Sequence, residues 1–213
     1  MIQAMKDEKF WDGVSRKYAA GKIADMAGYE RTLERAAGYL HADGHALEIG
    51  CGTGTTALKL APHTGQLTAT DISGDMIGIA RQKAEEAGIE NVRFEKALAG
   101  DARFEGQGFD AVLAFNVLHL LADVGGTLAR LNASLKPGGL LITKTPCLKD
   151  MNPLIRWVAL PLMRLAGKAP TVTCFTAGEL EAAISGAGFE IIERDYHASK
   201  GRDARLFVVA RRA

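Results

Sequence analysis

The sequence predicts an α/β fold: seven strands in a mostly parallel sheet, helices on both faces, and an antiparallel hairpin at the carboxyl-terminal end. Three observations predict it. An alternating apolar segment, ALEI at 46–49, runs into a turn with Gly50, Gly52 and Gly54 and then into a helical stretch. Strand, glycine turn and helix in that order build a ligand site at the carboxyl end of the first strand of a parallel sheet. Strand-like runs then alternate with helical runs as far as residue 145, the pattern of a parallel α/β core. Finally, the last two strand-like runs, 189–194 and 204–210, are separated by only about ten residues that include Gly201. A parallel crossover needs a dozen or more, so this pair should be antiparallel.

Each element has its own signal. Phe10, Trp11, Val14 and Tyr18 share a helical face, and Gly21 stops it. Met26, Tyr29, Leu33, Ala37 and Leu40 form a second such face. The first strand is expected at 46–49, followed by a helix over 53–60 that Pro62 closes. A second strand is expected at 67–71. Ser73 is placed to cap the next helix, which carries Met76, Ile77, Ala80 and Ala84 and ends at Gly88. A short third strand is read at 92–94. The near-continuous apolar run FDAVLAF at 109–115 reads as a buried fourth strand. A helix over 124–135 should stop at Pro137-Gly-Gly139, before a fifth strand at 140–145. Thr176 and Glu179 form a capping-box pattern opening a helix that ends at Gly188.

The chain of 213 residues suits one domain. Its expected parts are a helical cap over 1–44, a ligand-binding core over 45–145, a helical lid insertion over 146–175, and a helix plus hairpin over 176–213. Basic and acidic residues balance at 26 to 25, so no overall field points to nucleic acid. An acidic substrate held by local residues stays open. No signal core and no run near the ~18 apolar residues of a membrane span is present. Cys51, Cys147 and Cys174 form no metal-like pair and read as reduced thiols of a cytoplasmic protein.

Asp71 ends the second strand, 21 residues after Gly50. A carboxylate there can accept from both hydroxyls of a ribose, or it can simply cap the following helix. A dinucleotide fingerprint would place Gly or Ala at position 55, where this chain has Thr55. Glu48 would repel a pyrophosphate but tolerate an ammonium or a water. The ligand that fits is a nucleoside with an amino-acid tail and no phosphates.

The motif ALEIGCGTG, followed by TATDIS, resembles the class I S-adenosylmethionine-dependent methyltransferases. FDAVLAFNVLHLL and LKPGGLLI are similar to that family's fourth- and fifth-strand motifs. The opening FWDGVSRKYA is similar to small-molecule members of the quinone-biosynthesis type. The resemblance covers about residues 10–206 and implies a Rossmann-like sheet ending in a hairpin. It implies S-adenosyl-L-methionine as cofactor, S-adenosyl-L-homocysteine as product and a small-molecule acceptor. By the resemblance, Gly50, Cys51 and Gly52 line the methionine and ribose part, and Glu48 supports the amino end through water. Asp71 takes the ribose hydroxyls, Ile72 and Met76 pack the adenine face, and the backbone of Asn116 meets the amino group. Tyr18 closes over the methionine tail. The chain departs from the family where an Asp-Ala pair commonly reads adenine: Leu98 and Ala99 stand there. Either the backbone of residues 97–99 reads adenine, or Asp101 does so from a shifted loop.

The cofactor carries the hard chemistry, and a base is needed only if the acceptor loses a proton. His119, three residues past Asn116, is the candidate base; its alternative is a packed turn residue. His41, His45, His63 and His197 have no partner at informative spacing. No acidic cluster suggests a metal. The segment 154–166 is apolar nearly all round a helix, with Arg156 and Arg164 interrupting it and a break expected at Pro161. Three readings compete: a lid whose Trp157, Leu160 and Met163 contact an apolar acceptor, packing on the sheet edge or a second copy, and contact with an anionic membrane surface. They rank in that order. At the level of function, a methyltransferase leads. A non-catalytic S-adenosylmethionine-binding regulator and a lipid-associated methyltransferase are the alternatives. A nicotinamide-dependent oxidoreductase is disfavoured by Thr55, Glu48 and the terminal hairpin.

Overall fold

The computed structural model describes residues 2–151, 170, 172–200 and 204–213. Its centre is a seven-stranded sheet in the order β3-β2-β1-β4-β5-β7-β6. The strands are β1 (His45–Ile49), β2 (Gln66–Asp71), β3 (Val92–Lys96), β4 (Phe109–Phe115), β5 (Leu135–Pro146), β6 (Phe189–Asp195) and β7 (Arg205–Arg212). The first five run parallel, while β7 is antiparallel to both β5 and β6. The α/β class, the parallel core and the antiparallel end are therefore as the sequence predicts.

The helices are α1 (Ile2–Ala19), α2 (Met26–Ala37), α3 (Thr55–Leu60), α4 (Gly74–Glu86), α5 (Val124–Ser134) and α6 (Ala177–Gly186). Side-chain caps fix several of their starts by satisfying amides that have no helical partner. Asp25 accepts from the Gly28 amide at 3.0 Å, Ser73 from Met76 at 3.1 Å and Asp123 from Gly126 at 2.8 Å. The capping box of Thr176 and Glu179 is present with both of its bonds.

Two apolar layers sandwich the sheet. One joins Leu47, Ile49, Val112 and Ala114 to Leu128 and Leu131 of α5 and Leu180 and Ile184 of α6. The other joins Leu67, Ala69, Leu113, Ile142 and Phe207 to Ala36 of α2, Ala57 and Leu60 of α3 and Ala80 of α4. Each fully buried large side chain contributes roughly 1.5–3 kcal/mol of transfer free energy.

One boundary differs from expectation. The helix ends at Ser134, and β5 begins at Leu135 rather than at residue 140. Leu135 pairs with Phe109; the ladder then shifts register and resumes at Leu140 opposite Ala111. The Pro137-Gly138-Gly139 corner, with Gly138 at φ +77°, lies inside that detour instead of before the strand.

The strand order places the functional region. From β1 the chain builds outward through β2 and β3, then returns to put β4 on the other side of β1. At such a reversal the loops leaving adjacent strands diverge and open a crevice at their carboxyl ends. The loops in question follow Ile49 and Phe115.

Candidate active site

A cleft of about 350 Å³ occupies this crevice. Of the residues singled out in the sequence, Tyr18, Gly50, Gly52, Asp71, Ile72, Met76, Leu98, Ala99 and Asn116 line it. Gly50, Gly52 and Gly54 all have positive φ. At Gly54, which opens α3 at φ +76°, a Cβ would stand 2.8 Å from Ala80 and 2.9 Å from Phe94. That glycine lets the α3 turn sit directly on α4 and β3. At Gly50 a Cβ would run into Val117 of the loop after β4, so the two loops close on each other.

Asp71 ties the turn to the second strand. Its Oδ2 accepts from the Gly52 amide and its Oδ1 from the Ser73 amide, each at 2.9 Å. Desolvation raises its pKa, and these two amides partly offset the rise. A carboxylate offers about four acceptor positions, so both oxygens keep capacity toward the cleft.

Glu48 lies under the turn and is only 2 % exposed. Its Oε2 has no hydrogen-bond partner among the described residues. Burial, reinforced by Asp71, pushes its pKa up to about 8. Tyr18 is 56 % exposed as a residue, yet desolvation of its phenol and the nearby Asp71 and Glu48 raise its pKa. Burial also holds the Cys51 thiol well above its usual range, so it is not a thiolate.

The adenine-side departure has a clear geometry. Leu98 is 50 % exposed and lines the cleft together with Ala97, Ala99 and Gly100. Asp101 does not line it; its carboxylate caps the Arg103 amide at 3.1 Å and faces the Arg103 guanidinium. His119 lines neither this cleft nor the second one described below. Its Nδ1 is buried without a partner among the described residues, and desolvation lowers its pKa to about 4. Trp157, Leu160 and Met163 lie outside the described residues.

Sequence reasoning missed several contributors. Gln3, Ala4, Asp7 and Trp11 bring α1 across the cleft. Asp12 holds α1 to the start of α4: its Oδ1 accepts from Ser73 Oγ at 2.6 Å and from the Asp75 amide at 3.2 Å. Thr55, which stands where a dinucleotide fold needs a small residue, accepts from Lys83 Nζ at 3.1 Å, as does Thr53. The rear of the turn is thereby pinned to α4.

A second cleft, about 800 Å³, adjoins the first at Tyr18, Phe115 and Asn116. The segment between α1 and α2, Met26, Tyr29, Thr32 and Leu33 of α2, Cys51, Thr53, Lys144 and Arg205 line it. Asn116 stands between the two with φ +54°, a left-handed backbone that Asn tolerates better than most residues. His197, for which the sequence offered no partner, has one here: its Nδ1 is 3.0 Å from Thr32 Oγ1. Thr32 Oγ1 also accepts from Lys144 Nζ at 3.0 Å. Lys144 could have been noticed as the lone charge in the apolar run LLITKT.

Among the described residues, no group of His, Cys, Asp and Glu could hold a metal, and no helix is long and apolar enough to cross a membrane.

Similarity to known proteins agrees with this geometry. A family profile for a methyltransferase domain matches residues 47–141. The chain is 31% identical over 155 residues to a ubiquinone biosynthesis O-methyltransferase of Azorhizobium caulinodans, covering 69% of this chain but only 59% of that protein. It is 30% identical over 148 residues to a phosphatidylethanolamine N-methyltransferase of Cereibacter sphaeroides, covering 67% of this chain and 72% of that one. The crystal structure of the YcgJ protein of Bacillus subtilis shares the fold, with a TM-score of 0.65 at 24% identity over 78% of this chain and 72% of that one.

Proposed function

The chain belongs to the class I S-adenosylmethionine-dependent methyltransferases, and from that premise we propose that it moves a methyl group from S-adenosylmethionine to a small acceptor with an apolar body. The observation that carries this reading is Glu48. A buried carboxyl with an unpartnered oxygen is costly unless something completes it. The ammonium of an amino-acid tail, or a water beneath it, supplies that partner, and a nearby ammonium favours the charged carboxylate. Asp71 then fits the ribose, held in place by the Gly52 and Ser73 amides. Ile72 and Met76 fit one face of the adenine. Because the Leu98 side chain has no acceptor and Asp101 is engaged elsewhere, the backbone of residues 97–99 is assigned to the adenine edge.

When bound, the cofactor supplies an electrophilic methyl on a sulfonium, released by in-line displacement with the S–C electron pair left on the sulfur of S-adenosylhomocysteine. The protein's part is alignment and exclusion of water. Tyr18 and Asn116 stand at the junction of the two clefts and are assigned to the transfer point. The second cleft supports a transferase over a non-catalytic binder, since it offers room for an acceptor beside that junction. Ile23, Met26, Leu33 and Phe115 supply its apolar lining. His119 is not assigned as the base: with a pKa near 4 it holds a proton poorly at neutral pH.

Labelled-methyl transfer to an extract of apolar metabolites tests this reading. Label is expected in the organic phase with the intact chain, falling at least 100-fold with Asp71→Ala. Binding of S-adenosylhomocysteine without any transfer would instead favour the regulatory binder.

A further inference from the structure

The loop after β3 is assigned the adenine edge with its backbone alone, so its backbone groups have to be accounted for one by one. The Ala97 amide donates to the Asp71 carbonyl at 3.0 Å, and the Leu98 carbonyl accepts from the Asp101 amide at 3.2 Å. The Gly100 carbonyl accepts from Arg130 Nη1 at 3.0 Å. Among the described residues, the carbonyls of Ala97 and Ala99 and the amides of Leu98 and Ala99 have no backbone partner. That leaves acceptors and donors side by side. Adenine needs both, because its 6-amino group donates and its N1 accepts. Such a pattern reads a base only if the loop holds its shape. Asp71, the residue assigned to the ribose, holds one end through its carbonyl. Helix α5 holds the other. A Cβ at Gly100 would stand 3.4 Å from Arg130 Cδ and 3.4 Å from Thr127 Oγ1, so the loop lies directly on that helix. Arg130, Thr127 and Gly100 all line the outer end of the first cleft. The guanidinium is charged, which makes its bond to the Gly100 carbonyl stronger than a neutral one.

We propose that Arg130 is the positioning residue that sets purine selectivity: by holding the Gly100 carbonyl it fixes the backbone of residues 97–99 against the adenine edge, in place of the side-chain acid that Leu98 cannot supply. The proposal rests on the S-adenosylmethionine reading above and deepens it. Arg130 acts through the loop and touches no reacting atom. A purine with a 6-oxo group and a protonated N1 reverses both hydrogen bonds. A fixed loop rejects it because its polar groups are left facing their own kind, whereas a loop free to shift adapts to it.

S-adenosylhomocysteine and S-inosylhomocysteine differ only at that edge, and calorimetric titration of each into the full chain tests the proposal. The parent should bind the adenosyl ligand at least about ten-fold more tightly, because two hydrogen bonds are at stake. Arg130→Met should lower that ratio by at least about three-fold, mainly by weakening the adenosyl ligand. Arg130→Lys, which keeps a donor on a similar stem, should retain more of the ratio. Arg130 is exposed, so both variants should keep the cooperative thermal transition of the parent. A merely structural role would weaken the two ligands alike. A ratio unchanged in Arg130→Met, or lowered equally by Met and by Lys, overturns the proposal and leaves the cofactor reading intact. So does a parent that binds the two ligands equally. Failure of S-adenosylhomocysteine to bind at all overturns the cofactor reading, and the proposal with it.

Discussion

In the ligand-free chain, burial and the nearby Asp71 lift the pKa of Glu48 from 4.5 to about 8. The sign of the consequence follows from linkage. A group whose folded pKa lies above its unfolded value adds stability below the unfolded pKa and loses it as pH rises through the folded one. The melting temperature of the ligand-free protein should therefore fall between pH 5 and pH 8, and Glu48→Gln should flatten that fall. At pH 8 the Gln variant should melt higher than the parent and bind S-adenosylhomocysteine more weakly. Thermal melts across that pH range, with and without the product, measure both effects. A parent chain whose stability rises steadily over the range would contradict the assignment. Asp71 belongs to the same scale but differs in kind: its two amide partners hold its shape before any ligand arrives. Its substitution should weaken ligand binding more than folding.

At the level of elements, α1 is the part most directly coupled to the cleft. It packs on α4 and contributes Trp11 and Tyr18 to the lining. Asp12 anchors it at the amino end of α4, where exposed amides and the helix dipole favour a carboxylate. Removing such a cap costs about 1 kcal/mol. Asp12→Ala should thus speed hydrogen exchange in α1 and weaken S-adenosylhomocysteine several-fold, with little change at the β5–β7 end. The α3 turn responds differently. Gly54→Ala places a Cβ against Ala80 and Phe94 at a positive φ, so it should destabilise the whole fold, by roughly 1–3 kcal/mol. Chemical denaturation measures that loss. An unchanged midpoint would mean that the turn can yield.

Across the whole molecule, what the sequence made legible was local. The Gly50–Gly54 turn, the Ser73 cap and the Thr176–Glu179 box each lie within a few residues, and their spacing carries the physics directly. The antiparallel pairing of the last two strands followed from the length of their connection. Contacts that join distant segments left almost no trace. Thr32 meets Lys144 across 112 residues and His197 across 165, and no spacing rule connects them. Lys83 reaches back 30 residues to Thr53 and 28 to Thr55, contacts that no local spacing announces. The detour at Pro137 was missed because a corner inside a strand looks like a corner before one. The segment after β5, with Trp157, Leu160 and Met163, lies outside the described residues, while the second cleft lies between α2 and the β5–β7 pair.

The central claim is that the cleft lined by Gly50, Gly52 and Asp71, with Glu48 buried on the strand before them, takes S-adenosylmethionine rather than a dinucleotide. Thermal shift of the full chain at pH 8 with S-adenosylhomocysteine, and separately with NAD, tests it most directly. At a hundred-fold excess over the dissociation constant, S-adenosylhomocysteine should raise the melting temperature by about 5–10 °C and NAD should not. Stabilisation by NAD alone, or a shift from S-adenosylhomocysteine that persists undiminished in Asp71→Ala, would contradict it.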